Sequence, residues 1–449
     1  MSWQVRTLPG RYADSVRLMG IARALRERDG VTACEVAMGT PANLAALAAL
    51  GANADAGPGD VVVAVDGEDG LGDAVLAEVQ RLLAGGGAPA SDDGPAPART
   101  PAAIDGANVA LVSVPGEYAT LEAHRAITRG LHVFLFSDHV SLEDEIALKR
   151  RGAARGLLVM GPECGTAMLA GIGLGFANVV RPGPVGVVAA AGTGAQEVAC
   201  LIDAAGSGVS HIIGVGGRDL STAVGGTMVR QGLEMLARDE RTETLLLVAK
   251  EPEALDALAD AAPDGMRAVA ALVGWDGGVD GWEVHPTLEA AALAAAGAAP
   301  IAGDEAEVRA RPGRVLGLFS GGSLAHEAQT IIGPGHRILD LGEEEYTRGR
   351  PHPMVDLELR RRMLREDGPK AGCVLLDVVL GHGSHADPAG ELAGTLGELA
   401  RERPVIAHVC GTKDDPQDAT RQESALREAG VIVAPTNAAA ARLARRVVA

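Results

Sequence analysis

Four segments of this 449-residue chain set glycine, hydroxyl, imidazole or carboxyl groups beside short apolar runs. The first runs from Val185 to Glu197, where Gly192, Thr193 and Gly194 follow VGVVAAA and open a helical pattern. Glycines let a backbone approach a ligand closely. The first N–H groups of a helix lack internal partners and sit at the positive end of its dipole, an arrangement suited to phosphate or carboxylate. The competing reading is an ordinary turn with Thr193 as N-cap. The second runs from Leu375 to Pro388 and has the same layout, with Gly383 and Ser384 as phosphate-binding candidates and His382 and His385 beside them. A histidine donates to phosphate oxygens, exchanges a proton near neutral pH or carries a phosphoryl group. With Asp387 the pair also has the make-up of a metal site, although no further ligand is assignable; helix capping is the third reading. In the third, Ile213 to Asp219, Gly216 and Gly217 end a strand-like run and Arg218 has the fork geometry for an anion. In the fourth, Met160 to Thr166, Glu163 is a general-base candidate if partly buried. Cys164 there is a pocket-lining residue, plain core, or a nucleophile if its pKa is depressed.

Other candidates read as structural. His139, His326 and His352 lie in polar or turn-like surroundings, as surface or capping histidines. The cationic run from Arg348 to Asp356 reads equally as a solvated loop or as an arm over an anion. Gly171, Gly173 and Gly175 lack the context of a dinucleotide fingerprint and read as a turn.

The elements that must position these loops follow from the alternation of apolar runs with helical patterns. Residues 84–105 and, more weakly, 296–313 have linker composition. Arg181-Pro182-Gly183-Pro184 is a further break. Length alone suggests about three domains; the breaks delimit four blocks: an N-terminal α/β domain at 1–85, then 105–180, 183–295 and 313–449. Asp14 to Glu27 reads as a helix. The runs at 60–65, 109–114, 131–136, 185–190, 211–215, 245–249, 314–319, 374–379 and 405–409 read as strands. Such alternation predicts an α/β fold of several Rossmann-like or flavodoxin-like parallel-sheet domains, with ligands beyond the carboxyl ends of the strands.

Charge and composition narrow the partners. Forty basic against 59 acidic residues give a net charge of −19, which argues against nucleic acid and anionic membrane. Backbone N–H groups still permit a small anionic substrate. The five cysteines form no C-x-x-C pair and read as free thiols of a reducing compartment. No signal peptide and no long apolar span is recognised, so a cytoplasmic location without membrane contact is expected.

Taken together, the loops resemble the succinyl-CoA synthetase superfamily, and most closely its FdrA-type branch, over roughly residues 105–449. The motifs are Gly161-Pro162-Glu163-Cys164, the run from Pro182 to Val188, Gly192-Thr193, Gly214 to Gly217, Ser320 to Ala325, Leu339 to Gly342, and Gly381-His382-Gly383. The resemblance implies an alpha-subunit-like part fused to a beta-subunit ligase domain: a CoA-binding-like Rossmann domain at 105–180 and flavodoxin-like ligase domains at 183–295 and 313–449. It implies two helix N-termini, at Thr193-Gly194-Ala195 and Gly383-Ser384-His385, aimed at one phosphate. The superfamily's phosphorylated histidine has no counterpart in Val273 to Gly281, and neither its ATP-grasp half nor its glycine-rich CoA loop is recognised. The branch implies a component of an oxamate-type carbamoyltransferase of ureide breakdown, with phosphate or carbamoyl phosphate as substrate and dedicated partner subunits or a homodimer. The catalytic candidates are His382, His385 and Glu163. Gly192, Thr193, Gly194, Gly383 and Ser384 are candidates for phosphate, and Cys164, Gly216, Gly217 and Arg218 for substrate. No metal is expected and CoA is doubtful. The alternatives are an acyl-CoA synthetase or CoA-dependent acyl transferase, or a non-catalytic subunit of a larger complex.

Overall fold

The computed structural model describes residues 3–85, 106–299, 301 and 308–449, apart from 12, 14, 27, 29, 69, 251, 252, 255–257, 260–264, 309, 348 and 349. Nearly all of the expected linker at 84–105, much of that at 296–313, and Arg348 and Gly349 lie outside the described residues. The chain forms two compact units, residues 1–97 with 347–351, and residues 98–346 with 352–449.

The first unit runs β1 (Trp3–Leu8), α1 (Ser15–Arg26), β2 (Val31–Met38), α2 (Pro41–Ala49), β3 (Val61–Gly67) and α3 (Leu71–Gly85). Its sheet has β3 at the centre and is antiparallel at both pairings, where a parallel sheet was expected. An apolar run reports burial on two faces, and here helices supply both without a parallel crossover. Val61, Val63 and Val65 pack with Leu18, Ile21 and Val75 from α1 and α3, whereas Val62 and Ala64 pack with Leu47 of α2.

The second unit has the expected α/β class, with three sheets built largely or wholly of parallel strands. β4 (Val109–Val112), α4 (Gly116–Thr128), β5 (His132–Leu135), α5 (Leu142–Ala153) and β6 (Val159–Met160) form a small parallel sheet, order β4-β5-β6. Next come β7 (Thr166–Leu169), β8 (Ile172–Gly175), β9 (Val185–Ala189), α6 (Gly192–Ala204), β10 (Val209–Gly214), α7 (Thr227–Ala237), β11 (Thr244–Ala249), β12 (Arg267–Leu272), β13 (Glu283–His285) and α8 (Leu288–Ala296). They build a seven-stranded sheet, order β13-β12-β11-β9-β10-β7-β8. β7 and β8 join it antiparallel, so the sheet continues across the Pro182–Pro184 break: those prolines interrupt regular structure but not the hydrogen-bonded layer.

The remaining elements are β14 (Val315–Phe319), α9 (Gly322–Ile332), β15 (Arg337–Asp340), α10 (Glu358–Asp367), β16 (Cys373–Val379), α11 (Pro388–Ala400), β17 (Val405–Cys410), α12 (Ala419–Glu428), β18 (Ile432–Ala434) and α13 (Asn437–Val448). The five strands are all parallel, order β15-β14-β16-β17-β18. Every residue of β9, β14 and β16 is buried, because helices cover both faces. One apolar cluster joins Val187, Ala195 and Val198 to Phe319, Leu324 and Leu443, so the five- and seven-stranded sheets share a core.

Candidate active site

Helices α6 and α9 start at the carboxyl ends of β9 and β14, and their first turns touch. A Cβ placed on Gly321 would lie 2.6 Å from the Thr193 Oγ1 and Cγ2 atoms, and one on Gly194 would lie 3.3 Å from the Cβ of Ser323. Only glycine permits that approach. The N-caps are Ala191 and Gly321, both with extended backbone and neither offering a capping side chain. By contrast α2, α5, α8, α11, α12 and α13 are capped by Thr40, Ser141, Thr287, Asp387, Asp418 and Thr436. Two uncapped positive helix ends therefore converge, with N–H groups left for an anion. Among the described residues the hydroxyls of Thr193 and Ser323 have no hydrogen-bond partner.

The turn into α9 is held by a buried carboxylate. Asp377 on β16 accepts from the Ser320 N–H at 2.8 Å and the Gly321 N–H at 3.0 Å, and the Ser320 hydroxyl also donates to it. Arg360, itself 2 % exposed, donates to Asp377 Oδ1 at 2.9 Å and to the Asp377 carbonyl at 2.7 Å. With its charge paired and its oxygens filled, Asp377 fixes where the next N–H groups point.

Asp340, Lys250 and His352 surround the α9 start. A Cβ on Gly322 would meet Lys250 Nζ at 2.9 Å and, closer still, Asp340 Oδ2. Gly342 stands between Asp340 Oδ1 and His352 Nε2, its own Cβ position 3.0 and 2.9 Å from them. Burial raises the Asp340 pKa against the pull of the Gly342 N–H and the Lys250 charge. His352 stacks obliquely on Phe176, ring centroids 5.7 Å apart, and burial pushes its pKa down to about 4. The sequence reading made His352 a capping or surface histidine and gave Lys250 no role. Searching every loop that follows a strand, β11, β14 and β15 included, reaches Lys250, Ser323 and Asp340.

The expected residues are distributed unevenly. Gly192, Thr193 and Gly194 form the α6 start, with Ala191 rather than Thr193 as N-cap. Gly383 and Ser384 do not open a helix: α11 begins at Pro388, because Asp387 and the proline set the start there. The loop at Gly381 still reaches α6, where Gln196 donates to the Leu380 carbonyl at 3.3 Å, and Gly383 packs on Phe176. The helix start paired with α6 is therefore that of α9. His382 is exposed and pairs by backbone with Ala177. The His385 Nδ1 accepts from the Asp387 N–H at 3.1 Å and its Nε2 lies 2.9 Å from Glu391, while the side chain that caps α11 is that of Asp387.

Arg218 is engaged as well, by Glu145 at 2.7 Å and by the Val140 carbonyl. Glu145 also pairs with Lys149, which is fully buried and reaches Asp219 at 2.8 Å and the Val215 carbonyl at 2.8 Å. This network holds the 215–219 loop and commits the Arg218 Nε and Nη2 to Glu145 and Val140. Gly216 packs on Gly161 and Pro162, and Gly217 lies near the Ala190 carbonyl. Cys164 donates to the Thr166 carbonyl, and burial pushes its thiol up to about 12, which removes it as a nucleophile. Glu163 is exposed, where the general-base reading asks for partial burial. Among the described residues no cluster of three or more metal-binding side chains occurs, and no helix is long and apolar enough to cross a membrane.

Comparison with known proteins agrees with this architecture. Residues 318–447 match the CoA-ligase family, and residues 1–98 match the family described as AllF, heavy metal-associated domain. The Trichomonas vaginalis succinate–CoA ligase [ADP-forming] subunit alpha-2 is 28% identical over 149 residues, 32% of this chain and 47% of that protein. An ADP-forming sulfoacetate-CoA ligase subunit, SauD of Bilophila wadsworthia, is 28% identical over 151 residues, 32% of this chain and 50% of its own length. This chain thus spans about half of each ligase subunit. The uncharacterized protein YahF of Escherichia coli K12 is 34% identical across all of this chain and 99% of its own. The chain belongs to the YahF family, within the succinyl-CoA synthetase-like superfamily.

Proposed function

We propose that this chain is an acyl-phosphate-handling enzyme of the acyl-CoA synthetase type, with CoA as acyl acceptor. The observation that carries the reading is the meeting of two uncapped helix starts, Gly192-Thr193-Gly194 and Gly321-Gly322-Ser323, beside Lys250. In the forward transfer a CoA sulfur attacks the acyl carbon, the carbon–oxygen bond to phosphate breaks, and phosphate leaves with the electron pair. The N–H groups of both helices and Lys250 stabilise the charge gathering on that phosphate, without reorganising as it forms. The similarity to CoA ligases favours CoA over other acceptors.

A second reading retains carbamoyl phosphate as substrate and an amide such as oxamate as acceptor. It is compatible, as is direct transfer to CoA, with the loop from Val273 to Gly281, which packs by Gly274 against Thr330 of α9 and holds no histidine. Direct exchange between phosphate and an acceptor needs no phosphohistidine there. Thr193, Gly194, Gly322, Ser323 and Lys250 hold the phosphoryl group in both readings. The purified chain should be incubated with acetyl phosphate and CoA, and separately with carbamoyl phosphate and oxamate, with products resolved by mass spectrometry. Acetyl-CoA from the first mixture supports the acyl-CoA reading, and oxalurate from the second supports carbamoyl transfer. Turnover in neither mixture, with or without co-purified proteins, contradicts both.

A further inference from the structure

We infer that His352 is a charge-neutral hydrogen-bond donor to the anion held between the starts of α6 and α9. The inference rests on the anion-binding reading above and assigns one more side chain to the same site. The Nδ1 of His352 accepts from the Met354 N–H at 3.3 Å. In a neutral imidazole the other nitrogen then carries the proton, so the Nε2–H is a donor. Among the described residues nothing accepts from it.

Its position is set from two sides. The ring lies against Phe176, which itself covers Gly383. Nε2 lies beside Gly342, across from Asp340 Oδ1, while the other Asp340 oxygen lies at Gly322 in the first turn of α9. The donor is thus one carboxylate's width from the helix start. A side chain on Gly342 or Gly322 would fill the space between them, and neither residue has one.

Burial, not the charged groups around the ring, keeps it neutral rather than protonated. Burial is the largest influence, Asp377 favours the imidazolium, and Arg360 opposes it. Asp340 is half-buried and feels the Lys250 charge. A neutral donor strengthens as negative charge gathers on the leaving phosphate and needs no proton transfer to act, as general electrophilic catalysis requires.

Inorganic phosphate titrated into the full-length chain is the probe, with 15N imidazole resonances and calorimetry as readouts. His352→Gln assigns the histidine signal and places an amide N–H near the Nε2 position; His352→Ala removes the donor. Expected are an Nε2-protonated His352 whose signal shifts on saturation with phosphate, and affinity reduced roughly 10- to 100-fold in His352→Ala, as for a hydrogen bond to a charged group. Affinity should be largely restored in His352→Gln. An Nδ1-protonated ring, or phosphate bound equally well by wild type and His352→Ala, would overturn the assignment while leaving the helix-start site intact. No phosphate binding by wild type would overturn the underlying reading, and this assignment with it.

Discussion

The buried ionisable side chains divide into those that hold the site in place and those that titrate. Lys149, Glu145, Asp219 and Arg218 form a network in which each charge meets an opposite one. Removing Lys149 should leave the fully buried Asp219 without its cation, while Glu145 keeps Arg218. Lys149→Met should therefore destabilise the fold by about 3–5 kcal/mol, measured as a denaturant midpoint. Where α6 meets α9 and α13, Glu197 pairs with His408 at 2.8 Å and accepts from the Asn437 N–H, and Asn437 donates to Glu327 at 2.7 Å. Burial opposes the His408 charge, but Glu197 beside it holds its pKa above the ordinary histidine value. Glu327 has no cation of its own, and burial raises it from 4.5 to about 7. Because the folded state keeps this proton longer than the unfolded state, stability falls as pH rises from the ordinary carboxylate range through about 7. Glu327→Gln should remove that slope. The variant should gain on the order of 2–3 kcal/mol over wild type between pH 4 and pH 8, read from urea midpoints at the two pH values. A wild-type slope that persists in the variant would assign the effect to another group.

At the scale of elements, the proposed function depends on how closely two helix starts approach. Gly321→Ala would drive a methyl group into Thr193, whose nearest atoms lie at 2.6 Å, so the two turns must separate. The expected cost is about 1–3 kcal/mol, as for other overpacked sites. Thr193→Gly in the same chain should recover a substantial part of it, and a double-mutant cycle on thermal stability measures the coupling. Strictly additive effects would show that the turns do not touch. The α6 start was legible in the sequence because β9, its glycines and the helix pattern are contiguous. Its partner was misplaced. Gly381-His382-Gly383 has the composition of a helix start, but Asp387-Pro388 is the stronger local signal and delays α11. Gly321-Gly322-Ser323 has the same composition as the predicted starts, yet only packing of α6 on α9 shows which one faces Thr193. The N-terminal unit gives a second case. Val61 to Val65 announce a strand buried on both faces, but apolar content carries no strand direction, and that sheet is antiparallel.

For the whole molecule, the α/β class followed from strand–helix alternation because period and apolar run length are local properties of the chain. The site did not, because it is assembled from residues distant in sequence: Thr193, Lys250, Ser323, Asp340 and His352. Of the histidines singled out at the expected helix entry, His382 is exposed and His385 pairs with Glu391. The half-buried histidine beside the helix starts, His352, lies in a Pro-rich segment with no periodic signal. Net charge is compatible with the proposed site: a protein of net charge −19 can hold an anion through backbone N–H groups and one lysine at a single point, without a basic surface. The most direct test is calorimetric titration of the full-length chain with inorganic phosphate, in parallel with Gly322→Ala and Lys250→Gln. Wild type should give a saturable one-to-one isotherm. Gly322→Ala should abolish it, because its methyl group would occupy the space between Asp340 and Lys250, and Lys250→Gln should weaken it by about tenfold, as loss of one charge-assisted contact does, the latter with little change in melting temperature. Failure of the wild-type chain to bind phosphate, or equal binding by both variants, would contradict a phosphoryl site at the starts of α6 and α9.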